Sequence, residues 1–213
     1  MRRRTAILLS GRGSNAAALL RAAADPAYPA EIVLAAANVP DAPGLALAAA
    51  AGVRTVAIDH RRFGRDRAAH EAALLAELRA TGAEIVCLAG YMRRLTPLLV
   101  GAYAGRMLNI HPSLLPAFPG LDTHARALAA GVKLHGCTVH LVTEALDEGP
   151  ILAQAAVPVR PGDTEATLAA RVLAQEHRLY PLALALLARG EAGVAADAAA
   201  SLVNPLPEAV RLA

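Results

Sequence analysis

Short runs of apolar residues alternate along this chain with longer segments in which apolar positions recur every three or four residues. The short runs are rich in β-branched residues and bounded by turn residues, which predicts β-strands at residues 5–10, 31–37, 53–58 and 84–89. The longer spacing predicts α-helices at residues 16–24, 44–51 and 66–81. Strand and helix in alternation indicate an α/β fold in which a doubly wound, mostly parallel sheet carries helices on both faces.

The second half of the chain continues this pattern. Residues 107–110 predict a fifth strand, and residues 137–142 and 151–159 predict a later pair of strands around a turn. The longest helical pattern covers residues 164–188, with Thr164 as its N-cap and Gly190 beyond its end. We therefore expect a single domain over residues 1–190, followed by an Ala-rich tail, residues 191–213, to which the pattern assigns no structure.

Composition narrows the class of protein. The chain has 213 residues, of which 55% are hydrophobic and 18% charged, enough to bury one core and too apolar for a disordered segment. Arg2, Arg3 and Arg4 account for the net charge of +3, and aromatic residues make up only 3% of the chain, so we expect no nucleic-acid partner. Cys87 and Cys137 each lie in an apolar run, which predicts buried thiols rather than a disulfide or metal pair.

No segment predicts insertion into a membrane. A membrane span needs about 18 uninterrupted apolar residues, and each apolar run here is broken earlier by charge, glycine or proline. The run that follows the N-terminal arginines stops at Ser10 and Gly11, short of the apolar region of a signal peptide. We therefore expect a cytoplasmic protein with no membrane partner.

A glycine-rich loop follows the first predicted strand and opens the first helix, with the sequence Gly11-Arg12-Gly13-Ser14-Asn15-Ala16. A helix start of this kind offers free backbone N–H groups to an anion, which favours a phosphate-bearing ligand. The spacing also fits the dinucleotide fingerprint, but that fingerprint needs an acidic residue at the end of the second strand, where this chain has Asn38-Val39-Pro40. From the pattern alone, a phosphate ligand, a dinucleotide and a merely structural turn stay open.

Asn109 and His111 end the fifth predicted strand, and the alternation of an extended chain turns both side chains to the same side. Open α/β sheets bind their ligands at the carboxyl ends of the strands, which favours a catalytic pair over a structural histidine. Asp147 lies in the turn between the two later strands. The pattern alone does not decide between a catalytic carboxylate and one that bonds its own backbone.

The remaining titratable residues are weaker candidates. His135 and His140 are five residues apart on one predicted strand, which places them on opposite faces and predicts no metal site. Glu176 and His177 fall in the middle of a helix, where the pattern predicts a solvated face. A basic stretch that ends at Arg67 is typical of a solvated surface, although it is also able to steer an anionic substrate.

These motifs, in this order, resemble the phosphoribosylglycinamide formyltransferases, the folate-dependent transferases of purine biosynthesis. The formyltetrahydrofolate deformylase that looks similar carries an additional N-terminal domain, and methionyl-tRNA formyltransferase carries an additional C-terminal one. The length of the chain therefore favours the glycinamide enzyme. The deformylase and a dinucleotide-dependent reductase stay as alternatives. The segments that carry the resemblance are residues 9–15, 88–93, 109–116, 119–121, 135–140, 146–150 and 175–177.

The resemblance implies transfer of a formyl group from the co-substrate 10-formyltetrahydrofolate to the amine of phosphoribosylglycinamide, with no metal. Both implied partners are small molecules, and the resemblance leaves open whether the chain forms a homodimer. It implies that the catalytic residues are Asn109, His111 and Asp147. It implies that the ribonucleotide contacts Gly13, Ser14, Asn15 and Glu176. It implies that the folate contacts Arg67, Met92, Arg93, Arg94, Leu95 and Asn109.

Three positions depart from the pattern of the family. Arg12 and Arg94 stand where relatives commonly have a neutral and an aliphatic residue, and Leu173 stands where relatives often have a polar one. None of the three coincides with an expected catalytic position.

Overall fold

The computed structural model describes residues 1–192 and 201–202, and eight strands of these residues form one sheet. In chain order the strands are β1 (Arg3–Leu9), β2 (Ala30–Ala37), β3 (Thr55–Ala57), β4 (Ile85–Leu88), β5 (Met107–His111), β6 (Leu134–Leu141), β7 (Ile151–Pro158) and β8 (Ser201–Leu202). Their order across the sheet is β3-β2-β1-β4-β5-β6-β7-β8. Only β6 breaks the parallel arrangement, since it runs antiparallel to both β5 and β7. The predicted mostly parallel sheet is confirmed.

Helices cover both faces of the sheet. They are α1 (Ser14–Ala23), α2 (Pro43–Ala50), α3 (Arg67–Ala80), α4 (Pro97–Ala102), α5 (Thr123–Ala129) and α6 (Glu165–Arg189). Side chains of β1 alternate between the two faces, because successive residues of a strand point in opposite directions. Ile7 and Leu9 join the core cluster that contains residues of α1 and α6, whereas Ala6 and Leu8 join the cluster that contains residues of α3 and α4.

The observed elements follow the predicted ones with several differences. The third strand is three residues long instead of six, and β6 begins three residues earlier than predicted. A 3₁₀ helix at His60–Phe63 was not predicted, and neither were the helices α4 and α5. Both helices span fewer than eight residues, too few to establish a helical period in the sequence. The start of α4 is set locally, since the Thr96 hydroxyl accepts the Leu98 N–H and Pro97 occupies the first turn.

The predicted ends of the longest helix are confirmed. The Thr164 side chain accepts the backbone N–H of Thr167 at 3.2 Å, and Gly190 closes α6 in the left-handed conformation with φ 75°. Of the tail, residues 191–213, the pair Ser201–Leu202 adds an edge strand parallel to β7. Residues 193–200 and 203–213 lie outside the described residues. Cys87 and Cys137 are buried free thiols, as predicted.

The topology brings three loops to one edge of the sheet. Strands β1, β4 and β5 are parallel neighbours, so the loops that follow their carboxyl ends lie side by side. From β1 the chain winds outward to β2 and β3 and then returns to β4, which makes the boundary between β1 and β4 the place where ligands bind in open α/β sheets. Among the described helices, none is long and apolar enough to cross a membrane.

Candidate active site

The glycine-rich loop after β1 depends on a close approach between two backbones. Gly13 has φ 74°, and a Cβ atom there would lie 2.7 Å from the Cα of Gly44. The N–H of Gly44 donates to the carbonyl of Gly11 at 3.0 Å, which fixes the start of α2 against the loop. Because Gly13 is the N-cap of α1, the free N–H groups of the first helical turn form a site suited to an anion.

Glu176 lies beside this loop, although it is 161 positions farther along the chain. Asn15 donates from Nδ2 to Glu176 Oε2 at 2.6 Å, and Glu176 is only 7% exposed. Burial raises the pKa of Glu176, while the bond from Asn15 opposes that shift. The helical pattern alone predicted a solvated position for Glu176, and that prediction was wrong because α6 packs against α1. His177, for which the same prediction was made, is half-buried.

Ser10 connects the loop after β1 to the loop after β4. Its hydroxyl donates to Asn38 Oδ1 at 2.5 Å and accepts the backbone N–H of Met92 at 2.8 Å. Asn38 directly follows β2, at the position where a dinucleotide site would need a free carboxylate for a ribose hydroxyl. This buried amide is instead bonded within the protein, which argues against a dinucleotide ligand.

His111 and Asp147 meet at the carboxyl end of β5. The distance from His111 Nδ1 to Asp147 Oδ2 is 3.5 Å, and each side chain is only 7% exposed. His111 Nε2 donates to the carbonyl of Phe118 at 3.0 Å, and the N–H of Gly120 donates to Asp147 Oδ2 at 2.9 Å. Asp147 occupies a turn with φ 57°, in the left-handed region that aspartate adopts more readily than most non-glycine residues. Its carboxylate faces the histidine as well as that backbone N–H.

His140 belongs to the same cluster, and the sequence analysis missed it. Its Nε2 atom lies 3.2 Å from Nδ2 of Asn109 and 3.8 Å from Oδ1 of Asp147. The sequence pattern presents His140 only beside His135, as a candidate metal ligand. The signal that could have found it is its position on β6, the strand that leads directly into the turn with Asp147. The antiparallel register then pairs His140 with Asn109.

Two adjoining cavities contain most of the expected folate residues. Arg93, Arg94 and Leu95 line the first cavity together with Asn109 and Asp147. Arg67 lines the second cavity, which shares Arg93 with the first. Met92 lines neither of them, and its side chain is 68% exposed.

Glu71 fixes the segment that separates the two cavities. The buried carboxylate of Glu71 accepts both the backbone N–H of Thr96, at 2.7 Å, and its hydroxyl, at 2.6 Å. Thr96 follows Leu95 directly, so this contact anchors the end of the loop after β4 to α3.

The chemistry available at this edge of the sheet is hydrogen bonding and proton transfer. An amide, two imidazoles and a carboxylate converge there, and the glycine-rich loop with Glu176 forms a second group of polar atoms. Within residues 1–192 and 201–202, no three His, Cys, Asp or Glu side chains are grouped so as to hold a metal ion.

Comparison with known proteins identifies relatives of the whole fold. A family model described as "Formyl transferase" matches residues 3–184. The phosphoribosylglycinamide formyltransferase of Escherichia coli is 44% identical over 184 residues, which cover 86% of each chain. The trifunctional purine biosynthetic protein adenosine-3 of Drosophila pseudoobscura is 48% identical over 191 residues. That match covers 89% of this chain and 14% of the relative, so the chain spans about a seventh of the trifunctional protein.

Solved structures agree with these sequence matches. The crystal structure of phosphoribosylglycinamide formyltransferase from Brucella melitensis is 60% identical and superimposes with a TM-score of 0.84, covering 88% of this chain and 96% of that one. Glycinamide ribonucleotide transformylase 1 from Symbiobacterium toebii is 47% identical, with a TM-score of 0.86 and 89% of each chain covered. The chain therefore belongs to the formyl transferase family and, within it, to the phosphoribosylglycinamide formyltransferases.

Proposed function

We propose that the protein transfers the formyl group of 10-formyltetrahydrofolate to the amine of phosphoribosylglycinamide, giving the formylated ribonucleotide and tetrahydrofolate. The observation that carries the proposal is the convergence of Asn109, His111 and Asp147 at the carboxyl end of β5. There His111 Nδ1 lies 3.5 Å from Asp147 Oδ2. These groups are able to stabilise a developing oxyanion and to move a proton, the two tasks that formyl transfer requires.

The first step is attack of the substrate amine on the formyl carbon. A C–N bond forms, the carbonyl π bond breaks, and its oxygen becomes an oxyanion in a tetrahedral intermediate. One N–H of the Asn109 amide is directed at His140, which leaves the other for this oxygen. His111 Nε2 is bonded to the Phe118 carbonyl, so Nδ1 is the nitrogen that faces Asp147 and the reaction. A proton on Nδ1 gives the oxyanion its second donor.

The second step is collapse of the intermediate. The bond between the formyl carbon and the folate nitrogen breaks, and that nitrogen takes up the proton that the attacking amine loses. Asp147 is the base suited to carry this proton, directly or through a water molecule, because its carboxylate is held in the site by the N–H of Gly120. No proton is gained or lost overall.

The assignment of substrates follows from the two groups of polar atoms. The first turn of α1, with Gly13 and Ser14, takes the phosphate of the ribonucleotide, and Glu176 with Asn15 takes its ribose hydroxyls. The folate occupies the cavity lined by Arg93–Leu95, and Arg67 in the adjoining cavity takes a carboxylate of its glutamate. A deformylase has no use for a ribonucleotide site, so the paired Asn15 and Glu176 favour the transferase.

The test is dependence on the ribonucleotide. Purified protein is mixed with 10-formyltetrahydrofolate, and tetrahydrofolate formation is followed with and without phosphoribosylglycinamide. We expect turnover only when the ribonucleotide is present. Turnover without it would support the deformylase instead. Tight binding of NAD or NADP in a calorimeter, with no formyl transfer, would support the dinucleotide-dependent alternative.

Two broader assignments complete the proposal. Residues 1–190 act as one catalytic domain, because both substrate sites are built from elements between β1 and α6. The reaction takes place in the cytoplasm, whose reducing conditions suit the buried free thiols Cys87 and Cys137.

A further inference from the structure

One short loop binds both His111, which the proposed mechanism uses as an oxyanion donor, and Asp147, which it uses to carry the proton. The carbonyl of Phe118 accepts the His111 Nε2–H at 3.0 Å, and two residues later the N–H of Gly120 donates to Asp147 Oδ2 at 2.9 Å. We refer to residues 118–121 as the clip, because its backbone holds the imidazole and the carboxylate in one arrangement. A distortion that moves Phe118 relative to Gly120 therefore changes the placement of His111 relative to Asp147.

The backbone is strained at the first residue of the clip and at the residue that follows its last one. Phe118 has φ 54° and Asp122, which follows the clip directly, has φ 55°, both in the left-handed region that residues with a Cβ atom seldom adopt. Such conformations persist only where the surrounding structure holds them in place. Contacts from outside the clip are therefore needed to keep its carbonyl and N–H aimed at the site.

Arg126 on α5 provides those contacts. Its Nη1 donates to the carbonyl of Pro119 at 2.5 Å and to the carbonyl of Leu121 at 3.2 Å. Its guanidinium also lies over the ring of Phe118, 5.7 Å from the centroid. The His135 ring packs against the same phenyl group in a T-shaped arrangement, with the ring centroids 5.9 Å apart. The Arg126 guanidinium thus contacts three of the four residues of the clip. Within the part of the chain that the structure describes, both of its hydrogen bonds go to the clip.

We propose that Arg126 is a positioning residue for formyl transfer, acting through the clip on His111 and Asp147. The inference rests on the proposed function and adds to it a residue outside the expected substrate and catalytic sets. A guanidinium suits this geometry, because one nitrogen, Nη1, bonds both carbonyls while the planar group lies over the ring of Phe118. A lysine ammonium keeps the charge and the N–H donors but lacks the planar group.

The experiment compares Arg126→Ala and Arg126→Lys with the matched control Arg79→Ala, which removes an exposed arginine from α3. We expect Arg126→Ala to lower kcat about tenfold, because small displacements of catalytic groups are costly in rate, and to leave the KM for the ribonucleotide unchanged. Arg126→Lys should fall between the wild type and Arg126→Ala. Arg79→Ala should match the wild type.

A second measurement does not depend on turnover. Nitrogen-15 NMR of the imidazoles reports whether the Nε2 proton of His111 stays bonded to the clip. We expect its protection from exchange to fall in Arg126→Ala and to persist in Arg79→Ala. Wild-type kcat and unchanged His111 resonances in Arg126→Ala would overturn the inference while formyl transfer stands. Absence of formyl transfer in the wild type would overturn the proposed function, and the NMR comparison would still decide whether Arg126 holds His111.

Discussion

Asn109 and His140 are cross-strand partners in the antiparallel pair β5 and β6, and Nδ2 of the amide lies 3.2 Å from Nε2 of the imidazole. His140 Nδ1 lies 3.0 Å from the carbonyl of Leu141, so Nδ1 carries the proton and Nε2 accepts a hydrogen bond from the amide. Burial lowers the pKa of His140, which keeps the ring neutral and Nε2 able to accept. The orientation of the Asn109 amide is therefore set by its neighbour on β6.

Replacing His140 should slow the reaction without removing substrate binding. His140→Ala removes the acceptor that aims the Asn109 amide, and we expect kcat to fall about tenfold, less than the 10² to 10³ typical of deleting an oxyanion donor outright. Steady-state kinetics with both substrates measure this. The control is Asn109→Ala. In that background, adding His140→Ala should lower kcat hardly any further, because the two side chains act as a unit. Additive losses in the double variant would contradict the pairing.

The pH dependence of kcat gives a second test of His140. Protonation of Nε2 removes the acceptor, so kcat should decline as the pH falls through the lowered pKa of His140. Asp147 and the Leu141 carbonyl, which face the ring, raise that pKa, while His111 lowers it further. In His140→Gln, whose side-chain oxygen accepts at any of these pH values, the acid limb should move to lower pH. If the acid limb of the kcat profile is the same in His140→Gln as in the wild type, a group other than His140 causes it.

His111→Ala and Asp147→Ala should each lower kcat by about 10² to 10³ and leave the chain folded. Both side chains are bonded to the backbone of residues 118–121, so circular dichroism and a thermal melt are needed to confirm that each variant keeps its fold. If either variant turns over at close to the wild-type rate, the catalytic role proposed for that residue is refuted.

Gly13→Ala should weaken the ribonucleotide site specifically. The new Cβ would approach Gly44 Cα to 2.7 Å, and φ 74° is unfavourable for alanine by about 1 to 2 kcal/mol. We expect the KM for phosphoribosylglycinamide to rise about tenfold while the KM for 10-formyltetrahydrofolate stays constant. Gly11→Ala is the matched control, because a Cβ there meets nothing within 4 Å. Equal kinetic effects of the two substitutions would show that close approach is not the reason for Gly13.

Glu176→Gln tests whether the negative charge of the Glu176 carboxylate is needed at the proposed ribonucleotide site. A hydrogen bond to a charged group contributes about 1.5 to 3 kcal/mol, so its loss should raise the KM for the ribonucleotide about tenfold to a hundredfold. The glutamine oxygen still accepts from Asn15, which preserves the packing of α1 on α6. Glu165→Gln, at the exposed start of the same helix, is the control and should leave both KM values unchanged.

Acid should destabilise the fold through its buried histidines. Burial lowers the pKa of His70 and His140, and it lowers that of His135 to about 4, whereas an unfolded histidine titrates near 6.5. Between these values the unfolded chain binds more protons, so the free energy of unfolding should fall as the pH drops from about 7 towards 4. Glu176, whose pKa burial raises, acts in the opposite direction.

Urea denaturation at pH 8 and pH 5 measures this dependence. His135→Phe should reduce the difference in unfolding free energy between the two pH values, since it removes one of the histidines whose pKa is lowered by burial. Equal free energies of unfolding at pH 8 and pH 5 would contradict the proposed effect of the buried histidines.

Much of the fold can be predicted from the sequence because the helices and strands are determined by local features of the chain. Apolar periodicity distinguished the strands of the sheet from the helices that cover it, and the Thr164 cap and Gly190 marked the ends of α6. Asn109 and His111 were recognisable because a strand orients alternate residues alike, and strand ends in this fold class are where ligands bind. The elements that were missed, α4 and α5, are too short to establish a period.

The contacts between residues that are distant in the chain depend on the tertiary packing. The turn that bears Asp147 reaches His111 only because β6 runs back antiparallel to β5, and the same register brings His140 to Asn109. Glu176 is buried because α6 packs on α1, a contact that no helical pattern encodes. Arg126 acquires its contacts because α5 lies beside residues 118–121. Local propensity and periodicity are properties of neighbouring residues, whereas the geometry of this site depends on contacts between segments that are distant in the chain.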